Sequence, residues 1–198
     1  MSSQKSEIKP MYTFDYLVFI GRFQPFHFAH MQTIEIALQQ SQNVILALGS
    51  AQSERNIKNP FLAIEREQMI LSNFSEQDQK RIHFVHVVDV YNDEKWVKQV
   101  KDLVNAVIQP NAKVGLIGHF KDESSYYLRL FPEWQMVELD SLKDSISATP
   151  MREAYYRGEI QTEFFPEGTI RFLSEFQKSS IYAELQKKYL TDDRSNIE

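Results

Sequence analysis

Five short, nearly continuous apolar runs, interleaved with segments of helical period, constrain this chain more than any other feature. The runs are LVFIG (17–21), NVILALG (43–49), RIHFVHVV (81–88), KVGLIG (113–118) and WQMVELD (134–140). Helical spacing appears near 29–41, over 61–74 and over 93–108. The last is the clearest, with Trp96, Val97, Val100, Leu103, Val104, Val107 and Ile108 on one stripe at a period of about 3.6. Strands apolar on both faces that alternate with helices predict an α/β fold, a doubly wound parallel five-stranded sheet covered on both sides. The 198 residues are enough for one domain with a real core, or for one domain plus a short appendage. Residues 1–13 read as a loose tail, 14–190 as a single domain, and 191–198 as a tail expected to fray. From about residue 150, Gly158 and Pro166 break the chain into short helices, giving a helical C-terminal part.

The stretch GRFQPFHFAH (21–30) joins the first strand to the first helix. Gly21 permits a tight turn and close approach of a ligand to the backbone. Pro25 stiffens the loop. His27 and His30, three residues apart where the helix begins, are able to point the same way. The free N–H groups and positive end of that helix attract an anion. Zinc is the competing ligand for a histidine pair. No cysteine and no third ligand of suitable spacing accompany it, so no protein metal site is expected. A second segment, ISATPMR (146–152), has Ser147 and Thr149 where a helix would start. Their hydroxyls suit a cap or a phosphate. Arg152, one turn in, suits a two-pronged grip on phosphate oxygens.

Charge sharpens this reading. A net charge of −5 provides no global field to draw in nucleic acid, so anions must be held by local groups. Candidates are Arg22, His27, His30, Arg55, Lys58, Lys121 and Arg152. The absence of cysteine excludes disulfides and thiolate chemistry. MSSQKSEIKP has no apolar core of a signal peptide and nothing approaches a membrane-spanning run, so a cytoplasmic protein with no membrane partner is expected.

Gly21, Phe23, Pro25, His27 and His30 fill the pattern G-x-F-x-P-x-H-x-G-H of the nucleotidylyltransferase superfamily, with Ala29 in the place of the usual glycine. ISATPMR resembles the I-S-x-T-x-x-R motif that closes the ATP site there. The segments FIGRFQPFHFAH, NIKNPF, YNDEKW, GHFKDESSYYLRLFPEW and ISATPMR together resemble the archaeal-type nicotinamide-mononucleotide adenylyltransferases. They are most similar to the adenylyltransferase domain of bacterial bifunctional enzymes that also carry a Nudix domain. The resemblance implies a Rossmann-like sheet of order 3-2-1-4-5, with ligands at the switch point beyond the strand ends. It implies adenylyl transfer from ATP to nicotinamide mononucleotide, assisted by Mg²⁺ held mainly by substrate oxygens and water. His27, His30 and Arg152 would be catalytic. Gly21, Arg22, Phe23, Ser147 and Thr149 would join them around ATP. Relatives form dimers or larger rings, which implies a homo-oligomer.

Trp96 aligns with a tryptophan that stacks on the nicotinamide ring in similar enzymes, although it also lies on the apolar stripe of its helix. Asn92 would touch the mononucleotide or cap that helix. His119 and Asp122, in the loop after the fourth strand, would complete the mononucleotide site. Gly49 and Ser50 suit adenosine binding or a simple turn, and His83 and His86 read as structural. Two other readings compete. One is an adenylyl- or cytidylyltransferase with another phosphorylated acceptor, and the other a nucleotide-binding regulatory module without turnover. No R-E-x-x-E-E run of a Nudix domain occurs, so ADP-ribose hydrolysis is not expected.

Overall fold

A computed structural model describes residues 11–120, 123–140 and 147–195. Asp122, Lys121 and Ile146 lie outside the described residues. The chain runs β1 (Phe14–Gly21), α1 (Phe28–Gln40), β2 (Ser41–Leu48), α2 (Ala63–Leu71), α3 (Glu76–Gln79), β3 (Ile82–His86), α4 (Asp93–Asn105), β4 (Val114–His119), a 3-10 helix (Glu123–Leu130) and β5 (Gln135–Leu139). The C-terminal part adds α5 (Ala148–Tyr156), a 3-10 turn (Thr162–Phe164), α6 (Glu167–Phe176) and α7 (Ser180–Ser195). All strand pairs are parallel and the order is β3-β2-β1-β4-β5, as expected.

The strands are apolar throughout because both faces are covered. On one face Leu17 and Phe19 of β1 join Val44, Leu46 and Leu48 of β2, beneath Ile34 and Leu38 of α1 and Tyr155 of α5. On the other, Tyr16, Val18 and Ile20 join Ile45, Ala47 and Leu116, beneath Val100 and Val104 of α4. This is the two-residue alternation of a strand, read with both sides inward. Truncating a fully buried residue such as Leu46 would cost about 2–5 kcal/mol. Strand β4 must also come close to β1 and β5. A Cβ on Gly115 would stand 2.6 Å from Phe14 Cε1 and 2.9 Å from the Gln135 carbonyl oxygen, so an alanine there would force the sheet apart.

The described residues at both ends make contacts or regular structure of their own. Thr13 N–H donates to the Gln40 carbonyl at 3.0 Å, and the Arg81 guanidinium lies over the Tyr12 ring at 5.2 Å, so Tyr12 and Thr13 contact the domain. At the other end α7 continues through residues 191–195, which the sequence reading assigned to a frayed tail. Tyrosines tie the helices of the C-terminal part to one another, and the Tyr156 hydroxyl reaches out of it to the Ile57 carbonyl at 3.0 Å. The Tyr155 hydroxyl donates to the Leu173 carbonyl at 2.8 Å, and Tyr182 donates to the Tyr155 carbonyl at 2.6 Å. Burial pushes the Tyr155 hydroxyl far above its ordinary pKa, so it stays a neutral donor.

Candidate active site

The turn after β1 is held from several sides. The Phe23 ring folds back over Gly21, where an added Cβ would stand 2.9 Å from Phe23 Cζ. Phe23 itself has φ +53°, the left-handed region that non-glycine residues adopt only when their surroundings impose it. Gln24 is buried and bonds both ways to Phe61: its amide donates to the Phe61 carbonyl at 2.8 Å, and its oxygen accepts the Phe61 N–H at 3.0 Å.

The histidine pair follows. His27 precedes α1 with extended backbone, and His30 is the third residue of the helix. His27 N–H donates to His30 Nδ1 at 3.3 Å. That bond leaves Nε2 to carry the proton when the ring is neutral. The two rings stack at 3.6 Å with 18° between their planes, as the spacing predicted. Phe23, edge-on at 4.8 Å, and Phe26, stacked at 5.8 Å, fix His30 further. His27, His30, Gly21, Thr33, His119 and Tyr127 help line a cavity of 210 Å³ between the ends of β1 and β4, at the reversal of strand order.

A second cavity of 390 Å³ lies against Arg22, Lys58 and Arg152, with Glu153 the acidic residue among them, and against Ile57, Thr149, Tyr156 and Tyr189. Arg152 reaches this cavity from a buried position. It is 7% exposed, with Nη1 on the Gln24 carbonyl at 2.8 Å and Nη2 on Thr149 Oγ1 at 3.2 Å. Burial lowers its pKa and the nearby Arg22 charge lowers it further, so the site favours any anion placed between them. Ser147 precedes α5, yet its hydroxyl makes no cap bond; Thr149 instead engages Arg152.

Trp96 lines a third cavity of 330 Å³ with Asp89, Val90, Tyr91, Asp93, Tyr126 and Tyr127. It is half-buried and meets Tyr127 and Phe131 edge-on, both at 5.8 Å, so it serves the core and the cavity together. Asn92 takes the capping role, accepting Lys95 N–H at 2.9 Å, and is absent from the cavity wall. Tyr126 donates to Asp93 at 2.9 Å, a bond that raises the pKa of its hydroxyl. His119 joins the histidine cavity instead of the Trp96 cavity. Its Nε2 lies 3.2 Å from Thr33 Oγ1 and its Nδ1 3.1 Å from the Asp140 carbonyl. His83 bonds Asn43 at 3.0 Å and His86 bonds Glu67 at 2.5 Å, in keeping with structural roles. The fold therefore sets the Trp96 cavity beside the histidine cavity, with Tyr127 shared between them.

Sequence reasoning missed three residues of this region: Gln24, Tyr127 and Arg66. Arg66 is 1% exposed on α2. A charged residue between Ala63 and Ile70, on the buried stripe of that helix, was the available signal. Among the described residues no group of three or more His, Cys, Asp or Glu stands where it could hold a metal ion.

A family model described as cytidylyltransferase-like matches residues 18–154. The chain is 73% identical over 187 residues to a nicotinamide/nicotinic acid mononucleotide adenylyltransferase of Acinetobacter baylyi, covering 94% of this chain and 100% of that protein. It is 29% identical to a nicotinamide-nucleotide adenylyltransferase of Pyrococcus abyssi, over 81% of this chain and 83% of that one. Among solved structures, a bifunctional NMN adenylyltransferase/ADP ribose pyrophosphatase from Francisella tularensis, complexed with AMP and a manganese ion, superposes with a TM-score of 0.82 at 34% identity. That match covers 92% of this chain, which spans about half (55%) of the Francisella chain. On the family match and these identities, the chain belongs to the cytidylyltransferase-like family.

Proposed function

We propose that this chain is an adenylyltransferase of NAD biosynthesis, joining ATP and nicotinamide mononucleotide to give NAD and pyrophosphate. The observation that carries the reading is the adjacency of three cavities' chemistry: a stacked histidine pair at a helix start, a cationic wall on one side and an aromatic, acidic wall on the other. The 73% identical relative, named for both nicotinamide and nicotinic acid acceptors, supports the same reaction here.

In this reading a phosphate oxygen of the mononucleotide attacks the α-phosphorus of ATP in line. The bond from that phosphorus to the bridging oxygen breaks, and pyrophosphate leaves with the electron pair. The protein supplies position and charge, and no covalent intermediate is required. The Nε2–H of His30 donates to the α-phosphate or bridging oxygen as negative charge grows there, and His27 supports its ring by stacking. Arg22 faces the β- and γ-phosphates, while Arg152 adds a fixed charge behind them and holds the loop through the Gln24 carbonyl. Trp96 presents an indole face to the cationic pyridinium, and Asp89 and Asp93 add negative potential beside it. Mg²⁺, held mainly by phosphate oxygens and water, would accompany the triphosphate and neutralise its charge. A cytoplasmic homo-oligomer is the accompanying proposal; no described helix is long and apolar enough to cross a membrane.

The test incubates the pure protein with ATP, Mg²⁺ and nicotinamide mononucleotide, and reads NAD through a coupled dehydrogenase. Parallel arms replace the acceptor with nicotinate mononucleotide or phosphopantetheine, and ATP with CTP. NAD formation above the other arms is expected. Nucleotide binding without pyrophosphate release would overturn the reading in favour of a binding module.

A further inference from the structure

Arg66 is a cation that the reaction scheme above does not use. It is 1% exposed, and among the described residues no carboxylate pairs with it. Its Nη1 donates to the carbonyls of Arg22 and Gly49, both at 2.8 Å, and its Nη2 reaches the Ser50 carbonyl at 3.5 Å. These carbonyls lie just past the ends of β1 and β2, beneath the exposed Arg22 side chain. Burial first, and the Arg22 charge second, push its pKa down to about 10, which still leaves it charged at neutral pH. A buried, unpaired charge costs stability, so it is a poor way to glue two strands together. A neutral side chain would serve packing alone at lower cost.

The bonds of Arg66 suggest what that cost supports. Arg66 holds the carbonyl before Phe23, and Arg152 holds the carbonyl after it, that of Gln24. The residue between them is the one at φ +53°. In a trans peptide the C=O of one residue and the N–H of the next point in opposite directions. With the Arg22 carbonyl drawn down to Arg66, the Phe23 N–H must point away from the packed layer. Among the described residues that N–H has no hydrogen-bond partner.

We infer that Arg66 is a positioning residue for the ATP side of the site: by holding the Arg22 carbonyl it turns the Phe23 N–H and the Arg22 side chain toward the phosphates. The inference rests on the adenylyl-transfer reading. Lysine at this position keeps the charge but cannot serve two strand ends with a planar fork.

The test compares wild type, R66K, R22A and the double variant, with kinetics taken per folded molecule. R66K is expected to lower kcat/KM for ATP by roughly ten- to a hundredfold, with KM for nicotinamide mononucleotide within about twofold of normal. If Arg66 acts through the loop that carries Arg22, the double variant loses less than the product of the single losses, by about threefold or more. Losses that simply multiply, or an R66K enzyme with full activity per folded molecule, would overturn the inference. A second measurement needs neither turnover nor a folded variant. A non-hydrolysable ATP analogue added to ¹⁵N-labelled wild type should slow hydrogen exchange at the Phe23 amide, and unchanged exchange in saturated protein would overturn the role. Wild type that makes no NAD sinks the reaction reading, whereas active wild type with equally active R66K sinks only the role of Arg66.

Discussion

The cationic and aromatic ends of the cleft are held in place by different means. On the cationic side Gln24, Arg66 and Arg152 are all less than 10% exposed, and each bonds to backbone of a distant segment. On the aromatic side Tyr91 is fully exposed and Tyr126 is 52% exposed, and their neighbours meet mostly ring edge to ring face. In the proposed reaction the contrast would follow from what each side does. Charge builds on the phosphates during the reaction, so donors there are useful only if they are already in place. The acceptor ring does not change charge and needs only to be bound, which adaptable aromatic faces achieve. Substitutions on the first side should therefore act on kcat, and on the second side on KM for the acceptor.

The strongest test of that division is His30→Ala. We expect kcat to fall roughly 10²–10³-fold with little change in KM for nicotinamide mononucleotide. A mutant that keeps its kcat would remove His30 from the chemistry and blur the contrast. Arg152→Lys should come next. It leaves the Gln24 carbonyl and Thr149 without their shared fork, so kcat/KM for ATP should fall about tenfold or more, with a drop of about 1–3 kcal/mol in unfolding free energy. Equal activity and melting temperature in the lysine variant would show that the fork is dispensable.

Trp96→Ala probes the other side. KM for nicotinamide mononucleotide should rise about tenfold, the equivalent of about 1–2 kcal/mol, while KM for ATP holds. Because Trp96 also packs on Tyr127 and Phe131, its melting temperature should fall as well, and Trp96→Phe should recover part of both. An alanine variant that melts early yet keeps a normal KM would reduce the residue to core packing. The smallest effect belongs to His83, away from both sides. Burial holds its pKa below the ordinary 6.5. The unfolded chain then binds the proton more readily than the native one, so this group's contribution is intact above about pH 6.5 and is lost as pH falls below it. Thermal unfolding of His83→Gln against wild type between pH 7 and 5 should show a shallower loss in the variant. Identical curves would remove His83 as a source of acid sensitivity.

The sheet was readable because its signal is local. Apolar runs such as NVILALG report burial on both faces whatever they pack against, and β2 departs from the expected span by starting two residues early, at Ser41, and ending one residue early, at Leu48. That early start has a physical cause: the Ser41 hydroxyl bonds both the Ala37 and Asn43 carbonyls at 2.8 Å, so helix passes to strand with no loop. The histidine pair was equally readable, since three-residue spacing at a helix start leaves the rings few other arrangements. The environment of Arg152 was not readable, because exposure depends on what the rest of the chain brings to it. The neighbours of His119 were not readable for the same reason. Its loop follows β4, but the partner that orients it, Thr33, comes from α1.

The amino-acid order by itself determined the α/β alternation, the apolar strands and the placing of a histidine pair and an arginine motif at helix starts. These depend on period and spacing, which act over a few residues. Tertiary structure decided which polar groups became buried and what they hold. Arg152 meets Gln24 across 128 residues, Arg66 meets Arg22 across 44, and Gln24 meets Phe61 across 37. Desolvation is a property of the space around a group, and that space exists only once distant segments have packed together.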